Sequence, residues 1–307
     1  MHVSADIQKV KRQFLPDDFT IDQWDTLLPY FEALTNRTLT STIELEKWLH
    51  DINELQAVIS EDACWRQIRM TCDTENKALE EAFTFFCLEI EPKVKHYSDI
   101  LNKKLMSSPF IHQLDKALYF TYLRGIEKEI KLFKEENIAI HAELNVLAQH
   151  YGNITGRMSI EVDGKEYTLQ QAAKFLMQSN RFLREEVYHK IAHRRKQDQQ
   201  ELDALFDELI AKRHQIALNA GFENYRDYKF EELGRFDYTV SDCEQFHASV
   251  KNYILPIVEE LYTHKKNQLG ISELRPWDVD AEPEGIKPLE PFVNGSELLE
   301  KSIEAFS

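Results

Sequence analysis

At 307 residues the chain has room for about two domains of ~150 residues, or for one large helical body with a sizeable core. Apolar residues make up 43% and charged residues 29%, with 18 Phe, 12 Tyr and 4 Trp, which is too many core-forming side chains for a disordered chain. A net charge of -16, from 53 carboxylates against 37 Lys and Arg, repels phosphate backbones and anionic lipid, so nucleic acid and membrane surfaces are excluded as expected partners.

Met1 to Lys11 lacks the apolar centre of a signal peptide, and no run approaches the ~20 apolar residues of a membrane span. The expected address is the cytoplasm. Only nine Gly and nine Pro interrupt the sequence, and apolar residues recur at three- and four-residue spacing almost throughout. The expected fold is mainly α, a multi-helical antiparallel array. Ser41 with Glu44, and Thr168 with Gln171, have capping-box spacing, and Ser108-Pro109 reads as an N-cap with proline at the first helical position. These signals predict helices near 22–36, 42–58, 61–90, 93–106, 109–133, 135–151 and 169–178. Cys64, Cys72, Cys87 and Cys243 sit in helical patterns without CxxC spacing and read as reduced core thiols.

Met158 to Val162 alternates, Asp163-Gly164 follows, and Lys165 to Thr168 is extended again, the signature of a two-residue hairpin. A pair of strands is marginal alone, so a further segment should cover it. From Arg181 the pattern is helical to Gly221, the expected C-cap, roughly 60 Å at 1.5 Å per residue. Leu202, Leu205, Phe206, Leu209, Arg213, Ile216 and Ala217 trace one face. A short helix over 224–232 and a long one over 240–269, bent at Pro256, come next. Pro276, Pro283, Pro288 and Pro291 then oppose regular structure, before a last helix over 297–306 begun by Asn294 or Ser296. The expected division is a helical lobe with the hairpin over 1–180 and a second, incomplete helical lobe over 181–307.

Few residues offer chemistry. His189 and His193 have the i,i+4 spacing of a zinc-binding pair, but Lys190 stands where a general-base glutamate would be needed, and residues 181–196 carry six Lys and Arg against two Glu. A solvated basic face is the expectation. Glu186 with His189 and Glu244 with His247 match the carboxylate-bundle pattern Glu-x-x-His at a frequency that chance supplies. None of the eleven histidines precedes a glutamate, and no phosphate loop or nucleophile elbow occurs. Tyr225, Tyr228, Phe230, Phe236 and Tyr238 read as core aromatics, with a peptide groove as the alternative.

The hairpin with Thr168-Leu169, the run Leu205-Phe206-Asp207-Glu208-Leu209-Ile210-Ala211-Lys212-Arg213, and Gly221-Phe222-Glu223-Asn224-Tyr225-Arg226-Asp227-Tyr228 resemble the oligoendopeptidase F branch of the thimet-oligopeptidase family. Arg235-Phe236-Asp237-Tyr238-Thr239 and Leu274-Arg275-Pro276-Trp277-Asp278 follow in the order that branch shows, so the resemblance spans about Arg157 onward. It implies a zinc endopeptidase that cleaves short peptides in a deep channel between helical lobes. The family's metal and base come from an HExxH helix and a later glutamate, and this sequence holds neither, so no catalytic or zinc residue carries over. Arg235, Asp237, Tyr238, Trp277 and Asp278 are the candidate channel-wall or structural residues. The expectation is therefore the N-terminal portion of a zinc oligopeptidase, a fragment or a natural truncation, inactive as it stands and without a cofactor of its own. The alternative is a non-catalytic helical module that binds peptides or a partner. An incomplete lobe should also expose apolar side chains such as Phe236, Trp277, Phe292, Leu298 and Leu299, and self-associate through them.

Overall fold

The computed structural model describes residues 11–283, 285, 289 and 291–306. The residues before Lys11, Pro288 and Ser307 lie outside that set. The chain divides into two compact units, one formed by Met1–Gly156 with Gln200–Thr239 and the other by Arg157–Gln199 with Val240–Ser307. Both are built from helices, with a single two-stranded hairpin among the described residues, so the mainly α expectation holds.

In the first unit, α1 (Trp24–Asn36) and α2 (Thr42–Cys72) lay Leu27, Phe31, Leu34, Leu45, Trp48, Leu49, Ile52 and Leu55 into one core. The indole of Trp48 donates to the Leu34 carbonyl at 2.9 Å, which satisfies its buried N–H. The Glu54 carboxylate accepts the backbone N–H groups of Gln13, Phe14 and Leu15 at 2.7 to 2.9 Å and so anchors the segment before α1. The break expected near 59–61 is absent. Ser60 and Glu61 sit on the exposed side of a continuing helix, and Arg66 pairs with Asp62 one turn back at 2.6 Å. The chain interrupts at Asp73 instead, and Asn76 caps α3 (Lys77–Phe85) by accepting from Ala78 and Leu79. The outer turns of α2 outrun the core, which corrects the expectation for two cysteines. Cys64 and Cys72 are exposed, Cys243 is half-buried, and Cys87 alone is buried. Burial pushes the Cys87 thiol up to about 11, leaving it protonated and inert.

A π-helical turn, Phe86–Ile90, links α3 to α4 (Glu91–Met106), whose second residue is Pro92. The Ser108-Pro109 signal opens only a 3-10 turn, Ile111–Gln113. α5 (Lys116–Leu132) starts later, where Asp115 accepts from the Ala117 N–H at 2.8 Å. α6 (Glu135–Gly156) completes the first stretch of this unit.

In the second unit, β1 (Ser159–Val162) and β2 (Lys165–Thr168) pair antiparallel with Val162 opposite Lys165. Asp163 and Gly164 both have positive φ, 51° and 75°, the twisted two-residue turn that the sequence calls for. Ile160 and Val162 are buried, and Lys190 of the next long helix donates to the Glu161 carbonyl at 3.0 Å, so a helix covers the hairpin as expected. Thr168 forms the full capping box with Gln171 and starts α7 (Leu169–Ala172), continued by a 3-10 turn to Met177. α8 (Arg181–Gln197) follows.

The single 181–221 helix is corrected to two. At Asp198 the backbone leaves helical geometry for one residue, and its carboxylate takes ion pairs from Arg194 at 2.6 Å and Arg157 at 3.4 Å. Beyond it, α9 (Gln199–Asn219) returns the chain to the first unit with Leu205, Leu209, Ile216 and Ala217 buried and Phe206 exposed. Gly221, at φ 84°, ends the run as expected, with its own N–H bonded to Leu218 and that of Phe222 to Ala217. α10 (Tyr225–Glu232) is capped by Asn224.

Back in the second unit, α11 (Val240–Ser249), a π turn (Val250–Ile254) and α12 (Leu255–Gln268) form a helical run in which no residue is buried. The π turn precedes Pro256 just as the first one precedes Pro92, so the position expected to bend is met by a widened turn. After a short 3-10 turn, Pro276–Asp278, the described chain ends in α13 (Gly295–Phe306), whose Glu297 N–H donates to Asn294 at 3.0 Å. The expected apolar exposure is met at Phe236, Phe292 and Leu298, which are exposed, and not at Trp277 and Leu299, which are half-buried.

Candidate functional site

The residues singled out from the sequence fall into two groups, one in each unit. Arg235, Asp237 and Tyr238 lie on the turn after α10. The Arg235 guanidinium stands 5.2 Å from the centre of the Phe230 ring, and Tyr238 meets the same ring edge-on at 5.6 Å. Asp237 accepts from Arg124 of α5 at 3.2 Å, and the Arg124 guanidinium lies 4.2 Å from the centre of Phe236 and 5.3 Å from that of Phe120. Phe120, Phe236 and Tyr238 are exposed. The result is an accessible surface of alternating guanidinium and aromatic faces, each cation held by its ring quadrupole. Tyr228 behaves differently. It is buried against Phe222 and Tyr225, and burial raises its phenol, which donates to Glu232. The aromatic group over 222–238 thus divides into a core half and a surface half.

Trp277 and Asp278 occupy the 3-10 turn of the second unit. The indole packs on Tyr188 and His189 at 5.4 and 5.3 Å, and its carbonyl accepts from Arg184 at 3.0 Å. Asp278 is fully buried and accepts from Arg181 at 2.8 Å, from Arg184 at 2.8 Å and from the Arg275 N–H at 3.0 Å. Burial alone pushes its carboxyl up, and the hydrogen bonds from Arg181, Arg184 and Arg275 outweigh it, holding the pKa below the usual carboxylate range. Arg181 is raised in turn, chiefly by its bond to Asp278. A carboxylate so enclosed cannot touch a substrate and acts as the buried anchor of this turn.

The sequence reading passed over Arg124, Arg181 and Arg184. Arg184, Val187 and Ile191 are the buried residues of α8, at i, i+3 and i+7. An arginine on the apolar stripe of a helix was the available signal that a buried carboxylate had to face it.

His189 and His193 are exposed, and Lys190 between them pairs with Glu186 at 2.6 Å. Glu244 and His247 are also exposed on α11. Among the described residues no group of three or more His, Cys, Asp and Glu side chains is placed to hold a metal ion. The two His-containing spacings are therefore not joined by further ligands among the described residues.

Comparison with known proteins places this geometry. Residues 14–133 match the family model described as the peptidase M3 N-terminal domain, and residues 175–300 match that of peptidase family M3. No protein of curated function matches. Among solved structures, a protein described as an oligoendopeptidase F from Bacillus anthracis str. Ames superposes with a TM-score of 0.81 at 23% identity, over 89% of this chain and 51% of its own. A second oligoendopeptidase F structure gives 0.81 at 25% identity over 88% and 48%, and PZ peptidase A with an inhibitor gives 0.80 at 24% over 87% and 48%. The chain spans about half the length of these solved relatives.

Proposed function

The chain belongs to peptidase family M3, and from that membership we propose that it supplies the helical front part of a zinc-dependent oligopeptidase of the oligoendopeptidase F kind. In this reading the whole enzyme cuts short peptides in a channel in the cytoplasm, and its metal and general base come from outside this sequence. The observation that carries the reading is the pair of family matches in series, joined by superposition on oligoendopeptidase F structures along most of this chain. No helix among the described residues is long and apolar enough to cross a membrane, which agrees with that address. The guanidinium and aromatic surface at Arg235, Phe236 and Tyr238 is accessible and suits a wall that peptides slide along, whereas Asp278 holds its turn in place.

The second reading is a module that binds peptides or a protein without cutting. It is favoured by one observation, the absence of HExxH from the sequence and of any metal-holding group among the described residues. Two measurements decide. The chain of residues 1–307 is assayed for bound metal and for cleavage of a quenched fluorescent peptide, with no zinc and no turnover expected; stoichiometric zinc with chelator-sensitive turnover would overturn this. The same assay is then run on the product of the full native reading frame. Chelator-sensitive cleavage of peptides but not of folded proteins is expected, and a full-length product that never cleaves peptides establishes the binding module.

A further inference from the structure

Two histidines stand on the exposed side of α8 with their ring nitrogens uncommitted. His189 and His193 are four residues apart inside a continuous helix, which sets one side chain over the other with about 5–6 Å between their Cβ atoms. Both are exposed, and neither makes a hydrogen bond or an ion pair among the described residues. The His189 ring is also located by its neighbours, with the Trp277 ring centre at 5.3 Å and that of Tyr188 at 5.6 Å. This is the spacing at which two imidazoles on one helix face close on a single metal ion.

The cations of α8 that could repel such an ion are mostly drawn elsewhere. Lys190 pairs with Glu186 at 2.6 Å and donates to the Glu161 carbonyl at 3.0 Å, which turns its ammonium toward the hairpin. Arg194 pairs with Asp198 at 2.6 Å, and Arg181 and Arg184 are drawn to the buried Asp278. Arg195 and Lys196 are exposed, so their charge acts through water and is screened by salt. Glu186, three residues before His189, adds a carboxylate on the same face.

The donors select the ion. Imidazole nitrogens suit zinc, copper and nickel, and among the divalent ions affinity peaks at copper, whose tetragonal geometry accepts two nitrogens and leaves its other positions to water. Two protein ligands are fewer than a resident structural or catalytic metal holds, so an ion here exchanges with solvent.

We propose that His189 and His193 chelate one Cu(II) ion on the surface of α8, with water in the remaining positions. The site does not depend on peptide hydrolysis, so it stands or falls separately from the peptidase reading.

The test is titration of the chain with Cu(II) in a Cys64→Ser, Cys72→Ser background, because exposed thiols take copper themselves. Binding is read by calorimetry and by the emission of Trp277, which a paramagnetic ion on the neighbouring His189 quenches. His189→Phe, which keeps a ring against Trp277, and His193→Ala should each weaken binding at least about tenfold, through loss of the chelate. Trp277→Phe should still bind copper and lose the metal-dependent quenching. Zn(II) should bind more weakly than Cu(II). Should His189→Phe disturb the Trp277 turn, His193→Ala, at an exposed position with no ring contact to it, carries the test alone. No Cu(II) binding up to ~1 mM, affinity unchanged in a folded histidine variant, quenching that survives Trp277→Phe, or tighter binding of Zn(II) would overturn the proposal.

Discussion

Arg184 donates to Asp278 at 2.8 Å across 94 residues of sequence, with 2% and 0% of the two side chains exposed. Desolvation makes such a pair weak evidence for net stability, yet removing one partner strands the other charge in the interior. Asp278→Ala should therefore lower the stability of the second unit by about 3–5 kcal/mol in urea unfolding, and Arg184→Met by a similar amount. The double variant should lose clearly less than the two single losses combined. Because the Asp278 pKa is lowered from 3.8, its contribution is present in full above that value and fades as pH falls through the folded one. A single-variant loss below about 1 kcal/mol would show that water or another donor replaces the pair.

Two glycines should respond to alanine with opposite signs. Gly221 holds φ 84° at the end of α9, where an L side chain is strained, so Gly221→Ala should cost about 1–2 kcal/mol. Gly125 lies inside α5 with nothing within 4 Å of an added Cβ, so Gly125→Ala should stabilise by up to ~1 kcal/mol. Denaturant midpoints of the two variants measure both, and a shared sign would contradict the assignment of these turns.

His141 supplies a pH dependence. Burial lowers its pKa from 6.5, helped by Lys95 and Lys229 and opposed by Glu232 and Glu91. The unfolded chain thus binds the proton more readily, and the folded protein keeps the full contribution above pH 6.5 and loses it as pH falls through the lowered value. Replacing His141 with Gln should flatten the unfolding midpoint between neutral and mildly acidic pH. An unchanged pH profile would place the titration elsewhere.

The helical run of α11 and α12 presents Phe246, Tyr253, Ile257 and Leu261 at 52–72% exposure. Ile257→Lys combined with Leu261→Glu should reduce binding of an apolar fluorescent dye and any concentration-dependent association seen by sedimentation. Because both positions are exposed, stability should stay within about 0.5 kcal/mol. A large loss of stability would mean that these side chains are covered within the same chain.

Local chemistry was legible in the sequence wherever one residue type decides the geometry. Asp163-Gly164, the Thr168 capping box and the Gly221 terminus all stand where spacing put them, because each rests on contacts within a few residues. Errors arose where tertiary partners choose. Ser60 and Glu61 resemble a helix start yet continue α2, and Asp198 divides a pattern without Gly or Pro because Arg157 and Arg194 reach its carboxylate. Trp277-Asp278 could be recognised as a motif, but its anchors Arg181 and Arg184 lie over 90 residues earlier, at a separation no spacing rule covers.

Each unit is built from two separate stretches of chain, which leaves the first unit at Gly156 and returns to it at Gln200. The cluster in which Leu132 is buried needs Ile216, Ala217 and Tyr228, which come from the returning segment. During synthesis, then, a nascent chain that has just completed α6 still lacks part of its own core and must wait about eighty residues for it. At ~5–20 residues per second that is roughly 4–16 s on the ribosome, an interval in which a chaperone that covers Leu132 and Ile140 would matter most.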